Sequence, residues 1–179
     1  MGALLLLAVP AGARAQQSGG GFSESEILDA ATGIFGATAQ GLATVIEKIF
    51  EDQGRPSAYI TGEEISGAFI VGLRYGKGEV TLKGQQPQPI FWQGPSVGFD
   101  FGGNAAKVFV LIYGIDSVAA LHRRFPGIEG SFYFIAGLGM NYQADAGITL
   151  APIRTGMGLR QGAAIGYLHY GPRHSWVPF

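Results

Sequence analysis

Apolar residues follow two different periods along this chain, and the change falls near residue 58. In "ATAQGLATVIEKIFEDQG" the residues Leu42, Val45, Ile46, Ile49 and Phe50 stand at i, i+3, i+4, i+7 and i+8. That spacing puts them on one face of an amphipathic helix, which Gly54 and then Pro56 stop. The preceding stretch, "SESEILDAATGIF", opens on a serine with Glu24 and Glu26 close behind, the composition of a helix N-terminus, and Gly36 allows a break. From Ala58 the period becomes two. "AYITGEEISGAFIVGLRYGKGEVTLKG" predicts strands bent at Gly62, Gly67, Gly72 and Gly76, and "QQPQP" predicts a loop. "PIFWQGPSVGFDFGG" gives more strand, and "KVFVLIYG" is a continuous apolar strand expected to be covered on both faces. "IDSVAALHRRF" predicts a short helix, capped by Asp116 or Ser117 and stopped by Pro126-Gly127. "EGSFYFIAGLGMNYQA", "GITLAPIRTG" and "TGMGLRQGAAIGYLHY" complete the strands.

Two of these strands have a nearly bare side. Gly156, Gly158, Arg160, Gly162, Ala164 and Gly166 share one face of the last long stretch. Gly94, Ser96, Gly98, Asp100 and Gly102 do the same in an earlier one, opposite Pro95, Val97, Phe99 and Phe101. Interior side chains must thin out where the walls of a small cylinder approach, and glycine lets a strand coil sharply. Strand–helix–strand alternation is missing, which argues against a doubly wound fold. The expected class is mainly β (α+β): a small, glycine-rich, soluble β-barrel with an N-terminal amphipathic helix segment and one short inserted helix. A buried guanidinium without a partner is costly. Arg160 and Asp100 are therefore expected to form an interior ion pair or to line an open polar mouth, with Arg74 and Arg154 beside them.

Composition supports many short strands. Glycine reaches 30 of 179 residues, aromatics 12% and charged residues only 14%. Net charge is −1, which does not suit a nucleic-acid binder. Acidic residues concentrate in 24–64 and basic ones beyond 101, a distribution that solvated surface charge explains. Cysteine is absent, so disulfides and thiolate metal sites are excluded. "GALLLLAVPAGARA" is a short apolar run ending in Ala13-Arg14-Ala15, followed by polar "QQSGGG". It predicts a signal peptide over 1–15 cleaved after Ala15, although no basic residue precedes the apolar run. A flexible linker over 16–22 and a single domain over 23–179 follow, and the mature protein is expected in the periplasm.

Candidate chemistry is thin. "GPSVG" at 94–98 matches the nucleophile-elbow pattern around Ser96, with Asp145 and His174 following in the order that hydrolases use. The pattern needs a strand–turn–helix context, and "FDF" continues as strand instead. His122, His169 and His174 fit no zinc spacing. Glu63 and Glu64 are neighbours on a strand, so they face opposite ways and do not form a carboxylate pair. Neither an enzyme nor a metal or cofactor is expected. The terminal Phe179 resembles the end of an outer-membrane barrel, but Pro172, Arg173, Ser175 and Pro178 break the apolar alternation that a lipid-facing strand needs.

Several long segments, "YITGEEISGAFIVGLRYGKG", "WQGPSVGFDFGG", "GSFYFIAGLGMNY" and "PIRTGMGLRQGAAIGYLHY", resemble in order the alphaproteobacterial envelope-integrity protein family EipA, from about Ser23 to Phe179. The strand region is more distantly similar to the SYLF lipid-binding domain. The first resemblance implies a soluble periplasmic barrel that keeps the cell envelope intact. The second implies phospholipid contact, and neither supplies catalytic residues. The resulting expectation is a non-enzymatic protein that binds a lipid or an envelope component, with peripheral membrane contact. Trp92, Phe99 and Phe101 would supply apolar contacts and Arg160 would meet an anionic headgroup. The alternatives are an outer-membrane barrel and a serine hydrolase using Ser96.

Overall fold

A computed structural model describes residues 20–36, 41–69, 71–96, 105–155 and 166–175. Two helices come first. Helix α1, Glu24–Phe35, starts on a capping box: the Ser23 hydroxyl accepts from the Glu26 backbone N–H, and the Glu26 carboxylate accepts from the Ser23 N–H. It ends at Gly36, whose φ of 87° only glycine adopts without strain. Helix α2, Leu42–Gln53, buries Leu42, Val45, Ile46 and Ile49, and Gly54 ends it. The helix face foreseen from the spacing is therefore the buried one.

Among the described residues ten antiparallel strands follow: β1 (Ala58–Phe69), β2 (Val71–Leu82), β3 (Gln88–Ser96), β4 (Ala106–Tyr113), β5 (Arg124–Pro126), β6 (Tyr133–Ile135), β7 (Leu138–Met140), β8 (Gln143–Asp145), β9 (Ile148–Thr155) and β10 (Tyr167–Gly171). They form one sheet in the order β5-β10-β3-β2-β1-β4-β9-β7-β6, and β8 also pairs with β9. The sheet curls until β5 and β8 approach. There Gly127 bridges Gln143, and the Ile128 N–H donates to the Tyr142 carbonyl at 2.9 Å. The expected barrel-like, mainly-β architecture is what the chain adopts.

The curl creates two cores. Inside lie Ile60, Val80, Ile90, Val108, Val110, Ile112, Leu150, Leu168 and Tyr170. Outside, the helices cover Phe109, Leu111, Ala151 and Ile153. Strand β4 thus gives its even-numbered residues to the interior and its odd-numbered ones to the helices, which is why it reads as an unbroken apolar run. Helix α2 is also tied down by a polar contact: Tyr142 donates its hydroxyl to Asp52 at 2.8 Å, and within the helix Lys48 pairs with the same carboxylate at 3.1 Å. Lys83, just past β2, pairs with Glu26 of α1.

One detail departs from expectation. The predicted helix over 115–125 is only a 3-10 turn, Val118–Leu121, followed by strand β5. Leu121 and Phe125 are both buried, but a turn and then a strand bring them there. Ser117 is the cap residue, with no side-chain hydrogen bond. The β6–β7 and β8–β9 hairpins turn on Ala136-Gly137 and Ala146-Gly147, with φ values of 46° and 87°, and 48° and 82°. Two successive positive φ values define the turn that matches the twist of the flanking strands, and here alanine occupies its first position.

Candidate functional site

Four adjacent strands place Trp92, Gly76, Glu64 and Ala106 side by side, in the order β3, β2, β1, β4. Period two along β1 turns Ala58, Ile60, Gly62 and Glu64 to one side, and Ala58 and Ile60 belong to the interior core. Glu64 is consequently buried, at 5% exposure, while its neighbour Glu63 is exposed. On β2 the same logic brings in Arg74, Gly76 and Gly78, and on β9 it brings in Arg154.

These side chains meet. Arg154 Nε donates to Glu64 Oε1 at 3.2 Å, and Arg74 Nε stands 3.2 Å from the same oxygen. Trp92 Nε1–H donates to Glu64 Oε2 at 2.8 Å. Arg154 Nη1 donates to Asn141 Oδ1 at 3.2 Å, which links the cluster to the segment after β7. Arg154 is 2% exposed, and Arg74, with 13% of its side chain exposed, is the member nearest solvent. Trp92 is 2% exposed and its indole lies 5.9 Å from the Tyr170 ring.

Glycine makes the arrangement fit. A Cβ at Gly76 would stand 1.9 Å from Trp92 Cε2, and one at Gly62 would stand 2.8 Å from its Cη2. The bare stripe on β1 and β2 is the space that the indole occupies.

Burial by itself would raise the pKa of Glu64. Arg154 first, then Arg74, and the Trp92 hydrogen bond outweigh it and hold the carboxyl below its ordinary range. The carboxylate is therefore charged at neutral pH. Two guanidiniums face it, and an arginine does not give up its proton. Arg154 Nη2 is buried without a hydrogen-bond partner. Burial pushes the nearby Tyr170 hydroxyl above the usual phenol range. The described arrangement is a buried ion-pair cluster, and none of its members is a general acid or base poised near neutrality.

The other candidate residues fall elsewhere. Arg74 and Arg154 are interior, as expected, but the carboxylate they meet in the described structure is Glu64. Phe99, Asp100, Phe101, Arg160, Phe179 and the cleavage position Ala15 lie outside the described residues. Trp92 is a core residue that hydrogen-bonds the buried acid. Ser96 ends β3, Asp145 pairs with Arg123 at 3.3 Å, and His174 stacks on Tyr75 with centroids 5.8 Å apart. His169 lies opposite Arg124, and burial, then Arg124 and His122, lower its pKa. Among the described residues no group of three His, Asp or Glu side chains is placed to hold a metal ion. No described helix is long and apolar enough to cross a membrane.

Glu64 and Asn141 were not foreseen. The parity of Ala58, Ile60 and Gly62 was a signal for Glu64. For Asn141 the sequence offers none, because its contact depends on how the β7–β8 segment folds over β9.

A crystal structure described as a beta-barrel-like, uncharacterized protein from Brucella abortus is similar over 90% of this chain and 100% of its own, with 43% identity and a TM-score of 0.81. A search of curated proteins finds no match. The family model described as envelope integrity protein A matches residues 20–179, and the chain belongs to that family.

Proposed function

We propose that this chain is a non-enzymatic periplasmic protein that supports envelope integrity by binding a lipid or another envelope component. The observation that carries this reading is the composition of the sheet interior. Apolar side chains, among them Ile60, Val80, Val108 and Val110, line one part of it, and the charged Arg74–Arg154–Glu64 layer adjoins them. An amphipathic molecule with a polar end matches both parts. The family description supports a role in the envelope. The apolar N-terminal run with its Ala13-Arg14-Ala15 pattern supports export.

Competing readings find less support. A membrane barrel needs an apolar outer band. The outward positions Glu63, Lys77 and Glu79 on β1 and β2 are charged and exposed, and α1 and α2 cover part of the outer wall instead. A Ser96 hydrolase needs Asp145 to orient a histidine, and that carboxylate is engaged with Arg123.

The test is mass spectrometry of lipid extracted from the protein purified without detergent from the cell envelope fraction. A bound lipid at near-stoichiometric yield is the expected result. Lipid-free protein with a filled interior would overturn lipid binding and leave a protein partner. A requirement for detergent to stay in solution would favour the membrane barrel. Ester hydrolysis that vanishes in Ser96→Ala would favour the enzyme.

A further inference from the structure

We propose that the outer wall formed by β5 and β10 is a docking surface for a membrane with anionic headgroups. This goes beyond the reading above, which concerns the interior of the sheet, and rests on it only for export into the envelope.

The strand register builds the surface. Leu168 and Tyr170 of β10 and Phe125 of β5 belong to the interior core, so their neighbours Tyr167, His169, Arg124 and Pro126 point outward. Arg124 stands opposite His169, and Pro126 opposite Tyr167. The Tyr170 N–H donates to the Arg123 carbonyl at 3.0 Å, which extends the same register and brings His122 level with Gly171. His122 and Arg124 are exposed, and so is Arg173, just past the end of β10.

This wall is electropositive. The Arg124 guanidinium lies 5.1 Å from the Tyr167 ring centroid and makes no ion pair among the described residues. Burial first, then Arg124 and His122, lower the pKa of His169, the direction that positive neighbours impose. Gln93, on the β3 side of His169, is uncharged. Arg123 differs from the others in being paired, with Asp145. Beyond Arg124 the stripe turns apolar through Pro126 and Tyr167 to Ile128, which is 47% exposed; Glu129 follows it. A cationic band beside an apolar one fits a bilayer surface, where basic groups meet headgroup phosphates and an apolar tip enters the boundary with the acyl chains. A soluble polyanion would use only the first band. Helices α1 and α2 cover the outer faces of β4 and β9 instead, which leaves this wall to the partner.

His122 and His169 gain charge as pH falls from about 7.5 to about 5.5, so acidification strengthens the attachment.

The experiment is co-sedimentation of the full mature chain with vesicles of phosphatidylglycerol and phosphatidylcholine in equal parts, or of phosphatidylcholine alone, at low salt and at both pH values. The expected result is binding to the mixed vesicles alone, stronger at the lower pH and released by sodium chloride at about 1 M. Arg124→Gln should weaken it about fivefold, and Ile128→Ser should weaken it too. Combined His122→Gln and His169→Gln should abolish the gain on acidification, and His122→Gln alone should halve it should the pair fail to fold. Lys83→Gln removes an equal charge beside α1 and should leave binding unchanged. Equal binding to both vesicle types, binding to neither, or equal loss in Arg124→Gln and Lys83→Gln overturns the proposal. Binding to heparin without binding to mixed vesicles overturns it in favour of a soluble polyanion. A co-purifying lipid in a chain that ignores vesicles overturns the docking surface and spares the interior reading, and vesicle binding by a lipid-free chain does the reverse.

Discussion

The Trp92 indole lies across the position that a side chain at Gly76 would fill, and through that gap its N–H reaches Glu64 at 2.8 Å. A glycine on β2 therefore decides whether a tryptophan on β3 can touch an acid on β1. Adding a methyl group at Gly76 must displace the ring, since the new carbon would stand 1.9 Å from Cε2. Gly76→Ala should destabilise the protein by about 1–3 kcal/mol or more through overpacking. Urea unfolding, with near-UV circular dichroism to follow the indole, is the measurement. Unchanged stability would show that the indole is not fixed against β2.

Glu64 makes the fold sensitive to acid. Its carboxyl is held below the ordinary range, so the stabilisation it provides is complete above the unfolded-state pKa of about 4.3 and is lost as pH falls through the lower folded value. Stability measured from pH 7 downward should fall more steeply below about pH 4 in the natural protein than in Glu64→Gln, which has no proton to take up there. Glu64→Leu should lose about 3–5 kcal/mol at neutral pH, because it leaves the buried Arg154 guanidinium without its acid. Parallel acid profiles for the natural protein and the glutamine variant would refute the assignment.

The hairpin turns can be improved. Ala136 and Ala146 sit at positive φ, where an L side chain with a Cβ is strained and asparagine is better tolerated. Ala136→Asn and Ala146→Asn should each raise stability by about 0.5–1 kcal/mol, with the double variant close to additive. Denaturant midpoints at constant m-value would register the gain.

The helices should respond to loss of their anchors. Ser23→Ala removes the cap of α1 and should destabilise by about 1 kcal/mol. Tyr142→Phe frees Asp52 from its first hydrogen-bond donor and should cost a similar amount. Amide exchange should then rise within the helix affected and not in β1 or β2.

How much of this was legible beforehand depended on the range of the interaction. The buried face of α2 and the double coverage of β4 follow from spacing alone, because both reflect one element meeting a wall. Residues 115–125 misled because Leu121 and Phe125 fall at helical spacing, which a turn followed by an inward-pointing strand residue reproduces. The two bare glycine faces over 94–102 and 156–166 lie mostly outside the described residues. On β1 and β2, however, Gly62, Gly76 and Gly78 leave room for an indole and for neighbouring backbone, a need that resides on other strands. Arg74 and Arg154, expected beside Arg160 and Asp100, are both turned inward. Their carboxylate was overlooked because Glu63 and Glu64 were weighed as a couple, when only one of them turns inward. The Asn141 contact depends on the path of β7 and β8 over β9, which no local pattern encodes.

Where Gly127 meets Gln143, the wall is fastened differently from the pairs of long strands. Among the described residues, neighbouring long strands share ladders of six to twelve paired positions, whereas β5 and β8 meet at one bridge and the adjoining Ile128–Tyr142 hydrogen bond. Such a clasp can unfasten while the hoop around it stays intact. An opening of the wall that starts at this join breaks fewer backbone hydrogen bonds than one between the long strands.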